Sequence, residues 1–205
     1  MRRVIAYIDG FNLYHAIDDL RRPHLKWLDL WSLCASICGS GETLTAVNFY
    51  TALPGWKPAA LSRHREYLKA LRASGVTCIL GHFKEKQRSC RRCGSTWLAH
   101  EEKETDVAIA VQVVADALTG ACERAIIVSA DSDLAPALKI IRAYRSSGLS
   151  ANVVAPPGRL AAARDLAPIF ELTRGRIGKH LLPDSMIDAN GAVLFTRPAS
   201  YDPPA

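Results

Sequence analysis

A short apolar run followed at once by two carboxylates constrains the fold of this chain more than any other stretch. The run is Ala-Ile-Ile-Val at residues 125–128, and Asp131 and Asp133 come directly after it. A run of this length, followed by small and acidic residues, indicates a buried central strand. Helical spacing then begins, so we expect Ser132 or Asp133 to cap a helix. The apolar positions of that helix are Leu134, Leu138, Ile141 and Tyr144.

The acidic pair has two interpretations. In open α/β sheets, ligands bind outside the carboxyl ends of the strands, where Asp131 and Asp133 would suit a metal ion. Asp is also a common helix cap, so one of the two needs no function. The pair by itself does not decide between a metal site and a cap.

A second strand, turn and helix open the chain. Residues 4–8 form an apolar run that ends at Asp9, and Gly10 allows a sharp turn into a helix over residues 13–20. Asn12 is placed to bind a phosphate, or a water beside a metal ion. The competing interpretation of Asn12 is a local turn hydrogen bond.

A third carboxylate precedes the central strand. It lies on a helix with one apolar stripe, which we expect to face the core; the stripe is Val107, Ala110, Val111, Val114 and Leu118. Asp106 lies in the first turn beside the stripe, where an acid also suits the helix dipole. We expect Asp106 to face the sheet. Glu101, Glu102 and Glu104 are predicted to face solvent, with Glu104 within reach of a second ion.

The order of these elements predicts the architecture. Strands and helices alternate, so the sheet should be mostly parallel and covered by helices in a three-layer α/β/α domain. If the first and central strands are neighbours, Asp9 and Asp131 face each other at the topological switch point. Together with Asp106 and Asp133, they would need a cation to remain charged. Hard oxygen ligands of this kind select Mg²⁺ or Mn²⁺.

Composition narrows the class of partner. The 205 residues allow one α/β domain with a small insertion, and the net charge of +6 favours an anionic partner such as nucleic acid. An ordinary basic surface is an equally good interpretation. Arg2 and Arg3 run directly into the first strand, and no apolar run is long enough to cross a membrane. We therefore expect a cytoplasmic protein that does not contact membranes and has reduced cysteines.

Residues 81–100 differ from their surroundings. They are rich in Lys and Arg, and they contain Cys90-Arg-Arg-Cys93-Gly. This spacing matches one half of a zinc site, and His82 and His100 could complete four ligands. A redox pair or an incidental pair is the alternative. We expect residues 1–172 to form the domain, and residues 173–205 to be a basic and then Pro-rich extension that is loose from residue 196 onward.

Three motifs in this order strongly resemble the NYN domains, in particular the LabA-like branch of the PIN-like nucleases. The motifs are Asp9-Gly-Phe-Asn12, Thr-Asp106-Val and Val-Ser-Ala-Asp131-Ser-Asp133, and the resemblance spans about residues 3–172. It implies a PIN-like fold and a metal-dependent ribonuclease site in which the four aspartates form the acidic set and Asn12 the amide position. Ala130 stands where the family usually has Gly, and Leu134 where it often has Phe.

The function expected from residues and resemblance together is cleavage of single-stranded RNA, mostly within the strand, at an Mg²⁺ or Mn²⁺ site. The alternative is a non-catalytic RNA-binding or regulatory protein that retains the pocket. A Toprim-type site would need Glu at the end of the first strand, and a dinucleotide-binding enzyme would need a glycine fingerprint that this chain lacks. Substrate choice would come from the domain itself, from a second copy of the chain or from another protein partner.

Overall fold

A computed structural model of the chain describes residues 1–143 and 149–204. Tyr144, which was predicted on the helix after the central strand, lies outside these residues. The first elements in chain order are β1 (Arg2–Asp9), α1 (Gly10–Asp19), α2 (Leu30–Ala35), β2 (Glu42–Thr51), α3 (Pro58–Ala73), β3 (Thr77–Leu80), β4 (His82–Ser89) and β5 (Thr96–Lys103). They are followed by α4 (Thr105–Leu118), β6 (Arg124–Val128), α5 (Ala135–Ala143), β7 (Ser150–Ala155), β8 (Phe170–Glu171), α6 (Arg174–Gly178), β9 (Ser185–Ile187) and β10 (Val193–Thr196).

Six of the strands form one parallel sheet in the order β3-β2-β1-β6-β7-β8. The strand order reverses between β1 and β6, which are neighbours with Ile8 opposite Val128. This arrangement confirms the predicted α/β architecture with a mostly parallel sheet covered by helices. The carboxyl ends of β1 and β6 therefore lie side by side at the switch point, where ligands bind in folds of this kind.

One face of the sheet carries α1, α2 and α3. Its core is built on Ile8, Leu33 and Leu71, and it extends to residues after the sheet such as Ile177 and Phe195. At 16 residues, α3 is the longest helix. In the described part of the chain, no helix is long and apolar enough to cross a membrane.

The other face carries α4 and α5, and here the expected orientation of α4 is wrong. The helix buries Ile109, Val113 and Ala117, whereas Val107 is 66% exposed and Val111 is 64% exposed. Both stripes are apolar and both have helical spacing, so the pattern by itself does not identify the buried one. Asp106 still faces the sheet, because residues 106, 109 and 113 lie on one side of a helix.

The segment with basic residues and cysteines forms a two-stranded antiparallel hairpin that projects from the sheet. Strands β4 and β5 pair along their full length, from His82 opposite Lys103 to Ser89 opposite Thr96. Most of its side chains are exposed, including Lys84, Arg91 and Arg92. This surface offers positive charge without adding to either core.

The C-terminal segment packs on the face of α1 and α3, so the expectation of a loose tail from residue 196 is wrong. Tyr201 is buried, and the Thr196 backbone N–H donates to Glu66 of α3 (3.0 Å). Trp27 lies beneath this segment, and its indole N–H donates to the Pro183 carbonyl (2.9 Å). Aromatic contacts of Trp27 with Phe195 and Tyr201 explain the order of a Pro-rich sequence.

Candidate functional site

Asp9 ends β1 and caps α1. It is only 2% exposed, and its Oδ1 accepts a hydrogen bond from the Asn12 backbone N–H (2.9 Å). Its Oδ2 accepts from the Ser129 hydroxyl (2.7 Å). Burial raises the pKa of Asp9, while the hydrogen bonds from Asn12 and Ser129 oppose that rise. The carboxylate is thus held in one orientation at the switch point.

The loop after β6 connects the next two acids to Asp9. The Asp131 backbone N–H donates to Ser129 Oγ (3.0 Å), and the Asp133 backbone N–H donates to Asp131 Oδ1 (2.9 Å). Asp131 therefore caps the 3-10 turn Ser132–Leu134, and the expectation that Ser132 or Asp133 is the cap is wrong. A cap needs a free side-chain oxygen before the first turn, and the turn begins one residue earlier than the pattern indicated.

Asp106 brings a third segment to the same place. Its pKa is raised to about 6, first by burial and then by the charges of Asp9, Asp131, Glu102 and Asp133. These carboxylates are therefore close enough to repel one another. We call the set Asp9, Asp106, Asp131 and Asp133 the acidic edge, which combines segments from β1, α4 and the loop after β6.

Two polar residues of this region were missed by sequence reasoning. Ser129 is fully buried and joins Asp9 to Asp131, although its position between an apolar strand and an acid was a usable signal. Glu102 was expected to face solvent, but it contributes to the raised pKa of Asp106, and its Oε1 accepts from the Thr105 backbone N–H (3.1 Å). Glu104 instead lies beside His82, with its Oε2 at 3.2 Å from the imidazole Nδ1.

The donor set fits one mode of divalent metal binding. Within residues 1–143 and 149–204, no three His, Cys, Asp or Glu side chains converge closely enough to hold one ion as a closed cage. Mg²⁺ needs no such cage, because one or two carboxylates, several waters and substrate phosphates usually hold it. A buried hydroxyl without a hydrogen-bond partner in the described chain, Thr105 Oγ1, lies next to Asp106 in sequence. Mutually repelling carboxylates and an unpaired polar atom suit a hydrated cation.

Asn12 links the two strand ends. Its side-chain oxygen accepts from the Ala130 backbone N–H (3.3 Å), so α1 is tied to the loop after β6. This contact joins residues that are far apart in sequence, so it is a tertiary hydrogen bond and not the local turn bond of the competing interpretation. It also places the amide group at the acidic edge, where a phosphate contact stays a prediction.

The proposed set of four zinc ligands is not brought together. His82 begins β4, so about 26 Å of strand separates it from Cys90. His100 lies opposite Glu85 in the hairpin, and about 16 Å of strand separates Glu85 from Cys90. His100 stacks on Trp56 instead, with ring centroids 3.7 Å apart. Cys90 and Cys93 do remain together at the hairpin tip, where hydrogen bonds from Ser95 and Cys90 lower the pKa of Cys93 to about 7. The histidines are therefore excluded as ligands to the same ion.

Fold and site together define a class of protein: a single-sheet α/β/α domain with a carboxylate cluster at its topological switch point. The family model of the NYN domain matches residues 3–170. The chain therefore belongs to the NYN domain family. That domain is part of a nuclease superfamily whose members generally use divalent metals, which indicates a nuclease-type function and RNA as the substrate class.

Two individual proteins resemble the chain. The 6-hydroxy-3-succinoylpyridine 3-monooxygenase HspA of Pseudomonas putida (strain DSM 28022 / S16) is 28% identical over 212 residues, covering 85% of this chain and 67% of that protein. A protein of unknown function, VPA0982 from Vibrio parahaemolyticus RIMD 2210633, has a similar crystal structure with a TM-score of 0.55 and 18% identity. That likeness covers 88% of this chain and 96% of the other, and at this identity it shows the fold alone.

Proposed function

We propose that the chain is a metal-dependent ribonuclease that cuts single-stranded RNA within the strand. The observation that carries the proposal is the hydrogen-bond chain that runs from Asp9 through Ser129 to Asp131, since it holds two carboxylates together at the edge of the sheet where ligands bind. Burial and the neighbouring carboxylate charges, which raise the pKa of Asp106, also support it. Mg²⁺ or Mn²⁺ would be held by some of Asp9, Asp106, Asp131 and Asp133. A binding protein gains nothing from negative charge concentrated beside phosphates.

The residues of the site would have different roles in cleavage. A bound ion would polarise a phosphodiester and lower the pKa of a water. Asp9 is oriented by Ser129 and Asn12 before any ion arrives, so little reorganisation is needed. The Asn12 amide group would contact a phosphate, and the exposed Lys84, Arg91 and Arg92 of the hairpin would attract the strand.

Asp131→Asn tests this proposal. We expect cleavage of a panel of single-stranded RNAs in Mg²⁺ or Mn²⁺ to fall by about 10²–10³-fold, because a ligand charge is lost while the shape and the cap are kept. The matched control is Asp188→Asn, in the turn between β9 and β10, where the side-chain oxygen also accepts backbone hydrogen bonds. Cleavage that is equal in the two variants would point to a contaminating nuclease and contradict the proposal.

A non-catalytic RNA-binding protein is the first alternative. The same experiment separates it from the enzyme, because a binder would show no metal-dependent cleavage in the wild type. Its RNA affinity would be unchanged or higher in Asp131→Asn, since a negative charge near phosphates has been removed.

The name of the Pseudomonas relative supplies a second candidate, oxygenation of a small aromatic acid. It is favoured by the 28% identity over most of this chain. Incubation with 6-hydroxy-3-succinoylpyridine, air and a nicotinamide reductant would then give oxygen uptake and oxidation of the reductant that both depend on the pyridine. Uptake that is the same with and without the pyridine excludes this candidate.

We also propose that Cys90 and Cys93 hold zinc, with the same pair from a second copy of the chain as the remaining ligands. The proposal is supported by the Gly94 backbone N–H, which donates to the Cys90 carbonyl (2.9 Å) and closes a tight turn around the thiols.

All six cysteines are free thiols, which supports the proposal that the protein is located in the cytoplasm.

Metal analysis of protein purified without chelator tests the zinc proposal. We expect about half an equivalent of zinc per chain and a dimer by light scattering, since four thiolates form a closed zinc site. Both should be lost in Cys93→Ser and kept in Cys38→Ser, whose thiol lies on the main domain. Zinc-free wild-type protein would contradict the proposal.

A further inference from the structure

A cavity of about 320 Å³ opens on the α1 and α3 face of the sheet, beside the carboxyl ends of β1 and β2. Its size is at the lower end of the range for small-ligand pockets, about 300–1,000 Å³. We call it the aromatic pocket, after the rings of Phe11, Trp56 and Phe83 in its lining. It lies on the opposite face of the sheet from α4, so Asp106 is not part of it.

Three separate segments supply one wall of rings. Trp56, from the loop before α3, stacks flat on His100 of the hairpin with centroids 3.7 Å apart and planes 12° apart. Phe83 meets Trp56 edge-on (4.6 Å) and also meets Phe11 of α1 edge-on (5.4 Å). Trp56 is nevertheless 37% exposed. Its accessible surface suits a planar aromatic ring, because offset and edge-on ring contacts are favourable.

The polar groups of the pocket favour an anion. Lys57 and Arg63 lie in the lining, and no acidic side chain lines the pocket within the described residues. Lys26 is also present, but it forms an ion pair with Asp18. Burial lowers the pKa of His64 to about 4, so its imidazole is neutral at pH 7 and can hydrogen-bond as it does with Thr51 Oγ1 (3.2 Å).

The pocket and the acidic edge adjoin. Asp9, Gly10 and Phe11 are consecutive, with Asp9 in the acidic edge and the next two residues in the pocket lining. A ligand whose ring occupies the pocket would pass Gly10 to bring its attached groups toward Asp9, the acid next to the lining in sequence. Successive nucleotides of a single strand have this form, a ring on one side and a phosphate on the other.

We propose that the aromatic pocket binds the base and one phosphate of a single nucleotide in the RNA strand, with the neighbouring phosphodiester at the acidic edge. The proposal rests on the ribonuclease function given above and names the part of the substrate that is recognised. The chemistry required is a planar ring that carries an anionic group. A free aromatic acid has the same chemistry, so the experiment must separate the two sources.

Calorimetric titration in EDTA tests the pocket without any catalysis. The ligands are the four ribonucleoside 5′-monophosphates and, separately, nicotinate. We expect at least one nucleotide to bind the wild type, and Trp56→Ala and Arg63→Ala each to weaken that binding about tenfold, as loss of base stacking or of a phosphate contact does. Because the two substitutions lie on different segments, the test still holds if one of the variants does not fold.

Each of the two substitutions has a control of the same residue type. Trp97→Ala removes an exposed indole of the hairpin that is 49% exposed and outside the pocket. Arg65→Ala removes an exposed guanidinium of α3 two residues from Arg63. We expect both to leave nucleotide binding unchanged. Equal weakening in controls and pocket variants, or no nucleotide binding at all, overturns the proposal.

Two outcomes assign the ligand source. Binding of nicotinate with no nucleotide binding overturns the nucleotide assignment and identifies a free aromatic acid as the ligand. Nucleotide binding that depends on Trp56, in a protein that cleaves no RNA, supports the pocket while the ribonuclease function fails. The two proposals can therefore fail separately.

Discussion

The acidic edge and the aromatic pocket adjoin at Asp9 and Gly10 but have opposite character. In the acidic edge, burial and then the charges of neighbouring carboxylates raise the pKa of Asp106 to about 6. The aromatic pocket has rings and cations and, in the residues described, no acid in its lining. They lie toward opposite faces of one sheet. Under the two proposals, bond cleavage and base recognition belong to different regions, so mutations should affect them independently.

The largest effect should be on kcat and KM, which a substitution in each region should change differently. We expect Asp106→Asn to lower kcat by about 10²–10³-fold and leave mononucleotide binding in EDTA unchanged, because under the proposed mechanism it removes a metal ligand and does not alter the pocket. Trp56→Ala should instead raise KM about tenfold with little change in kcat. Steady-state kinetics on a short RNA measure both.

Val107→Ala is the control for Asp106→Asn, since Val107 is the next residue and 66% exposed. Equal loss of nucleotide affinity in Asp106→Asn and Trp56→Ala would show that the two regions act as one site.

The next effect concerns the residue that joins the two regions. A Cβ on Gly10 would lie 2.4 Å from the Tyr50 carbonyl oxygen and 2.8 Å from the Phe49 ring. Because β2 backbone cannot move away easily, we expect Gly10→Ala to lower the free energy of unfolding by about 1–3 kcal/mol in urea. Gly55→Ala is the control, since a Cβ there meets no atom within 4 Å. Urea midpoints equal to the wild-type value in both variants would contradict the prediction and mean that α1 can shift with no loss of stability.

The smallest effect is a pH dependence of the acidic edge alone. The folded pKa of Asp106, about 6, lies above its ordinary value of 3.8, so the folded protein keeps a proton that the unfolded chain has lost. In EDTA, the contribution of Asp106 to stability should therefore be fully present below about pH 4 and be lost as pH rises through about 6, by about 1–2 kcal/mol after a reduction for partial exposure.

Urea unfolding across this pH range measures the effect, and Asp106→Asn should flatten the curve. Trp56→Ala should leave the slope as it is in the wild type, because the pocket contributes no such carboxyl group. An Asp106→Asn curve as steep as the wild-type curve would assign the slope to Asp9, whose pKa is also raised by burial.

The sequence was sufficient where a short pattern has one structural solution. The apolar runs that end at Asp9 and before Asp131 each predicted a buried strand, and both are central strands of the sheet. The parallel sheet then follows from the alternation of strands and helices. Cys90 and Cys93 are also a local feature, since a single turn holds them together.

Where a sequence pattern is compatible with two structures, only the fold shows which one forms. Helix α4 has two apolar stripes. Packing against the sheet buries Ile109 and Val113 and leaves Val107 and Val111 exposed. Flanking positions predicted that His82 and His100 would join the cysteines, but antiparallel pairing of β4 and β5 separates them along the hairpin. The aromatic pocket could not be predicted, because its rings come from three segments with no shared sequence pattern.

The amino-acid sequence by itself determined the two central strands, the α/β/α layering and which carboxylates follow those strands, because periodicity and turn residues are local properties of the chain. Only the tertiary structure decided that Ser129 joins Asp9 to Asp131, that Glu102 approaches Asp106 and that Trp56 meets Phe83. Those contacts depend on strand order and hairpin direction, which bring together residues that are distant along the chain.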